Sequence, residues 1–431
     1  MNKLIIATVF LFINYLNFTT NSLVRLLPLF IFFLVVIEEV LSKSNNYSFF
    51  NRNFKVLHVF FVLVIIGVLT SENERISSGF RVFKIISILL FVIAFFGTLN
   101  LKLRYYKIED LFVKLVYTPF LIYVILNLIA FVFLGNLSTV NHQGVMLSYI
   151  GIYQDRVSFT LANGINSYGS VLGILLTLSL VLHRYKSDQK SFFLLGIIVS
   201  TVSLLLTDSR GPLLYSFLVL LILKTIALKK KPPNVLWILP VIGFIGPILL
   251  LLLLSFLSQT SFGTSLSRSS GDLESGNNRA VIWFFAFNEF LTFKLQHIFG
   301  YGEFGHYTSG ASKSWSYIFD NYGSSENKNV GLYMHPHNTF LSIALDYGYA
   351  GLSIFVFIQY RIVKTVFKIW DKKKTLALLL LGNLLYFNFV GIGETMFGFY
   401  YQNVTYLFFM INVFAFLSLS KDRKHFVTLN S

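Results

Sequence analysis

The segment His335-Pro336-His337-Asn338 stands directly before a long apolar run that carries one acid, Asp346, and two glycines, Gly348 and Gly351. Pro336 excludes helix through its own position and biases His335 toward extended backbone. Asn338 is a good N-cap, so the spacing predicts a helix from Thr339 to about Ile362. His337 then sits at the helix mouth, where unpaired N–H groups and the dipole favour an anion. Two further positions carry fixed cations. Arg210 lies in Thr207-Asp208-Ser209-Arg210-Gly211-Pro212, the whole turn between two apolar runs, with Pro212 suited to a first helical turn and Asp208 or Ser209 to its cap. Arg279 opens an aromatic stretch that Asn277 or Asn278 can cap, at a helix end that disfavours its charge by roughly 0.3–1 kcal/mol. A residue that breaks a local rule is a functional suspect. Two guanidiniums suit a diphosphate, because each presents planar bidentate donors that stay charged. A histidine beside them can take a proton from an attacking hydroxyl or hold that hydroxyl in place.

Other positions leave two readings open. Arg156 is either a snorkelling anchor or a ligand contact. The polar residues after it, Asn163, Gly164, Asn166, Ser167, Tyr168 and Gly169, suit a cavity-lining or unwound helix end. Asp346 lies roughly 13 Å along a helix from His337; it is a functional acid or a structural partner for a neighbouring helix. Gly348 and Gly351 fit close helix packing. No metal site is expected: His335 and His337 lack a third ligand, and Asp272-Leu273-Glu274 reads as a solvated charge cluster. No cofactor is expected. The absence of cysteine excludes disulfides, thiolate metal sites and cysteine nucleophiles.

The elements that must position these residues are membrane helices. Of 431 residues, 55% are hydrophobic and 13% charged, which is no soluble composition. Twelve apolar segments emerge, at 4–18, 23–41, 56–70, 82–99, 111–134, 159–182, 191–206, 211–228, 235–257, 338–362, 375–393 and 399–419. The fold class is thus an all-α polytopic membrane protein with about twelve transmembrane helices. Asn14 and Asn17 weaken the first segment, and Asn383 and Asn388 the eleventh. With a cytoplasmic start, 24 of the 35 lysines and arginines fall inside, so both termini are placed there and the net charge of +16 reflects topology and no nucleic-acid partner. The N-terminal run is a retained helix. The chain divides into scaffold helices (1–134), central helices with the Arg156 and Arg210 outer loops (135–257), one large outer loop (258–337), and C-terminal helices with a cytoplasmic tail (338–431). Within the large loop a helix from about Arg279 to Gln296 sets Asn288, Thr292 and Gln296 every fourth position beside a broad aromatic face. Such a helix lies in the membrane interface or over the bundle mouth. Phe299-Gly300-Tyr301-Gly302 ends it, and the polar remainder reads as a substrate-facing loop or lid.

The run His337-Asn338, nine residues, Gly348, two residues, Gly351 resembles the signature of the bacterial O-antigen ligase and polymerase superfamily. Ser209-Arg210-Gly211, the stretch Arg279 to Trp283 and Phe299-Gly300-Tyr301-Gly302 fit its order. The resemblance spans about 150–400, with generic spans before it; Asp346 departs from it, since relatives often carry glutamate there. It implies a GT-C-like membrane glycosyltransferase in the bacterial cytoplasmic (inner) membrane, its site facing the periplasm. The transfer would be inverting and metal-independent, from an oligosaccharide on undecaprenyl diphosphate. Arg210 and Arg279 would hold the diphosphate leaving group, with Arg156, His335 and Asn338 also at the substrate and Asp346 in support. His337 would activate or orient the acceptor hydroxyl. A polymerase joins one lipid-linked repeat to another; a ligase passes the finished chain to lipid A-core. The aromatic helix and the Phe-Gly-Tyr-Gly turn favour the polymerase, with a chain-length regulator as a further partner beside membrane lipid. A lipid-linked sugar flippase would spread ionisable groups over several helices at mid-membrane. Here only Asp346 and Glu394 qualify, and the cations gather at one face, which favours an enzyme.

Overall fold

The computed structural model describes residues 1–14, 22–41, 55–70, 78–103, 105–135, 144–149, 151–260, 278–322, 334–397 and 402–425; Asp272 and Glu274 lie outside them. A long apolar run in lipid must satisfy its own backbone donors, and the helix does so within one segment. Accordingly the described residues hold helices and turns, without an extended strand. The chain opens with α1 (Asn2–Phe12), α2 (Ser22–Leu41), α3 (Lys55–Thr70) and α4 (Ser78–Lys102). Next come α5 (Ile108–Leu134), α6 (Ile165–Tyr185), α7 (Lys190–Leu206), α8 (Arg210–Ala227) and α9 (Ile242–Ser258). After these follow α10 (Arg279–Asn288), α11 (Thr339–Ile369), α12 (Lys374–Gly393) and α13 (Gln402–His425).

Five of these, α5, α6, α8, α11 and α12, are long and apolar enough to cross a membrane. The predicted straight helix over 235–257 is instead a 3-10 turn, Asn234–Val241, meeting Gly246–Leu253 at 95°. Pro240 and Pro247 lie in the two arms, and each removes a backbone donor that a straight helix would need. Among the other predicted segments, that over 191–206 corresponds to a shorter apolar helix, Lys190–Leu206. Its seventeen residues reach only about 25 Å along the axis. The unwound opening expected before α6 is present: α6 begins at Ile165, after Gly164 at φ 76°.

α12 is the most enclosed helix, which explains its asparagines. Asn388 Nδ2 donates to Gln359 Oε1 of α11 at 2.9 Å, and Tyr386 donates its hydroxyl to Ser170 O of α6 at 3.0 Å. Interhelical hydrogen bonds of this kind contribute about 0.6 kcal/mol each. Around them Phe355 of α11 packs its ring 5.2–6.2 Å from Phe60, Phe397 and Phe408, within the range of favourable aromatic pairs.

α11 departs from expectation at Gly348, whose φ of 65° and ψ of −169° interrupt the helix. The carbonyls of Leu345 and Asp346 turn to the large loop and accept Tyr301 N at 2.9 Å and Gly302 N at 3.0 Å. The Asp346 carboxylate accepts Gly305 N at 2.8 Å, and Glu303 N donates to Gly67 O of α3 at 3.0 Å. Gly348 does serve close packing, but against Ile298 and Gly300, in the one-turn helix Gln296–Phe299 and the residue after it, and not against another long helix. A Cβ on Gly348 would stand 2.5 Å from Gly300 N and from Ile298 O, while one on Gly351 would meet Tyr347 of its own helix.

Candidate active site

Asn338 caps α11 as its sequence dictates, its Oδ1 accepting Leu341 N at 2.9 Å while its Nδ2 donates to Ile392 O at 2.9 Å. Thr339 continues the stitching: its hydroxyl donates to Glu394 O and accepts Met396 N, at 2.9 and 2.8 Å. Ser342 and Thr395 pair at 2.8 Å. The first turn of α11 is thereby fixed against the residues that leave α12, and this brings a carboxylate to the histidine. Glu394 Oε2 lies 3.0 Å from His337 Nδ1, and its Oε1 pairs with an Arg279 terminal nitrogen. Arg279 Nε also donates to Gly393 O at 2.8 Å.

Burial alone would raise the pKa of Glu394; the Arg279 and His337 charges outweigh it and hold the carboxyl down to about 2. Glu394 is therefore an anion at neutral pH, with no proton to give. Nδ1 of His337 must then be the donor, leaving Nε2 as the imidazole's basic nitrogen. His335 faces the same group, its ring 4.6 Å from that of His337 and its Nδ1 3.4 Å from His337 N. Desolvation of its ring, and then the His337 charge, put His335 well below the ordinary histidine range, so it stays neutral.

Arg210 and Arg156 form a second group. Arg210 pairs with Asp208 at 3.1 Å. Asp208, at φ 51°, also accepts Met146 N at 3.0 Å. It is thus a brace, while Ser209 occupies the N-cap of α8 without a side-chain cap bond. Arg156 Nε donates to Thr207 O at 3.0 Å, and Val157 N donates to Leu206 O at 2.9 Å, so the loop ahead of α6 is laced to the same turn. The link between the groups is α8: Tyr215, five residues after Arg210, sets its ring 6.4 Å from that of Phe389 on α12, the helix that leads to Glu394. Asp346 contacts neither group and bonds the loop instead.

The aromatic helix is shorter than expected. α10 ends at Asn288, Asn278 precedes it in left-handed geometry without a side-chain cap, and a separate turn covers Gln296–Phe299. Asn288, Thr292 and Gln296 thus share no helical stripe. Glu289 redirects the chain: its Oε1 accepts Lys294 Nζ at 2.6 Å and the Tyr301 hydroxyl at 2.7 Å, beside the buried His297. Ile282, Trp283 and Ala286 are buried, while Phe284 and Phe287 are exposed.

Sequence reasoning missed Glu394 as a member of this site and Asp208 as the partner of Arg210. Asp208 carried a usable signal, an acid two residues before an arginine in a tight turn. Glu394 carried none at short range, being 57 residues from His337. Among the described residues no three His, Asp or Glu side chains gather around a point that could hold a metal ion.

Residues 195–356 match the family model Wzy_C, described as O-antigen ligase. That match, which runs from within α7 into α11, supports the O-antigen ligase and polymerase superfamily and with it a glycosyl-transferring bacterial membrane protein. No curated protein matches the chain.

Proposed function

From this family match and the His337–Glu394–Arg279 arrangement, we propose that the chain polymerises lipid-linked oligosaccharide repeats at the outer face of the bacterial inner membrane. The observation that carries the reading is the Glu394 bridge, one carboxylate oxygen on His337 Nδ1 and the other on Arg279. His337 Nε2 takes the proton of an acceptor hydroxyl as that oxygen attacks the anomeric carbon of the donor sugar. The bond from that carbon to the diphosphate oxygen breaks with inversion, and undecaprenyl diphosphate leaves toward Arg279 and Arg210. The proton stays on the imidazolium, which Glu394 stabilises. Arg156 supports the Arg210 side, and His335 and Asn338 shape the acceptor side.

In this reading the exposed face of α10 and the turns after it lies in the outer leaflet. Phe284, Leu291 and Phe299 are 62%, 80% and 68% exposed, and the buried side of α10 packs beside Leu250 and Leu251 of α9. Because the protein has no cysteine, nitroxides at Phe284→Cys and Leu291→Cys in nanodiscs report depth cleanly. Both should be more accessible to oxygen than to a water-soluble nickel chelate; the reverse order would put the segment in water.

The family description as O-antigen ligase favours a second reading, transfer of the finished glycan to lipid A-core. Surface polysaccharide from a deletion strain, complemented with wild type or His337→Ala, separates the two. A lost ladder with one repeat still on core is the expected result. Loss of every repeat, with long chains stranded on carrier lipid, selects the ligase; a normal ladder from His337→Ala removes both.

A further inference from the structure

We infer that Trp283 and Trp315 are positioning residues, a pair of indole N–H groups that clamp the His337 segment at its two ends; the inference rests on the proposed catalytic role of His337. Trp315 Nε1 donates to Met334 O at 3.0 Å, and Trp283 Nε1 donates to His337 O at 3.3 Å. The four residues Met334 to His337, which carry these carbonyls at their ends, belong to no helix. Pro336 has no N–H to give, and His337 sits at φ 46°, a left-handed conformation rare for a residue with a side chain. Such a backbone persists only where its surroundings over-determine it.

The two indoles supply that constraint from a small core built with Ile282, Ala286, Leu341 and Ile392. Packing alone gives no reason for an indole here, since phenylalanine would fill an apolar core without burying a polar atom. Both N–H groups nonetheless find carbonyls, and both carbonyls belong to one short segment. Trp370, equally buried, has an Nε1 without a hydrogen-bond partner among the described residues, so pairing is no general property of this chain's tryptophans. Trp283 also follows Arg279 by about one turn of α10. The clamp therefore sets the arginine and the histidine in one frame, and it aims His337 Nε2 without touching substrate.

The test replaces each tryptophan singly with benzothienylalanine, which keeps the bicyclic shape and lacks the N–H, and in parallel with phenylalanine. The donor is undecaprenyl-diphosphate oligosaccharide extracted from the native host. Each isosteric variant should melt within a few degrees of wild type, hold donor KM within about twofold and lose about tenfold in kcat. Wild-type kcat in both isosteric variants overturns the clamp, and so does a loss confined to KM. If the phenylalanine variants fail to fold, the isosteres decide. His337→Ala in the same assay keeps the two questions apart. A dead His337→Ala beside normal isosteres sinks the clamp alone, whereas an active His337→Ala sinks the proposed chemistry beneath it.

Discussion

Purified His337→Ala protein should transfer glycan about 10²–10⁴-fold more slowly than wild type, the range for removing a positioned general base. The loss should fall on kcat, with donor KM little changed, because the diphosphate is assigned to the arginines. Glu394→Ala should come close to it, since the imidazole then loses both its orienting partner and the anion that steadies its protonated form; removing such an orienting carboxylate elsewhere costs on the order of 10⁴. Glu394→Gln should also fall by up to about 10⁴, because its amide NH2 can face Nδ1 and hold the imidazole in the wrong tautomer. Steady-state kinetics on the three proteins checks these losses. Equal activity of Glu394→Ala and wild type would remove the dyad from the mechanism.

Gly348→Ala should be strongly destabilising. Its backbone at φ 65° and ψ −169° is strained for any L side chain, a cost of about 1–3 kcal/mol. The added carbon would also stand 2.5 Å from backbone atoms of Gly300 and Ile298, which no rotamer change relieves. Gly300→Ala meets the same joint from the other side, its Cβ 2.3 Å from Asp346 O. Gly151→Ala provides the control, with a positive φ of 80° and nothing within 4 Å of the new carbon. Melting temperatures in nanodiscs should rank Gly348→Ala and Gly300→Ala well below Gly151→Ala. The double variant should lose less than the sum, because both methyls spoil one contact. Parity between Gly348→Ala and Gly151→Ala would mean that the joint gives way at little cost.

The contrast between Asn338 and Gly348 shows what the chain's local chemistry could reveal. A cap is decided within four residues, and Asn338 accepts Leu341 N as its position before an apolar run requires. The turn at Arg210 was similarly legible, because Pro212 and the short connection leave few conformations. The break at Gly348 was hidden: its cause is the turn at 298–302, and hydropathy reads α11 as one uninterrupted span. The end of α10 at Asn288 was missed for a related reason, since Glu289 stops the helix through Lys294 and Tyr301, contacts that exist only once the chain has folded back. Arg279 and His337 could be suspected one at a time, but their joint partner Glu394 comes from the far end of α12. The resemblance supplied the order of the motifs; the carboxylate between them came from tertiary structure.

The joint at Gly348 also bears on how the protein is made. The turn that fills the break is synthesised before α11, and in the proposed topology it stands on the outer side when α11 enters the bilayer. An interrupted α11 would then present the Leu345 and Asp346 carbonyls to lipid without partners, at several kcal/mol each. Insertion therefore favours a continuous α11, with Gly348 helical and both carbonyls bonded within the segment. Docking of the turn exchanges those two bonds for Tyr301 N and Gly302 N. On that topology the break is expected to form late in assembly, the large loop taking its seat after the helix beneath it has crossed.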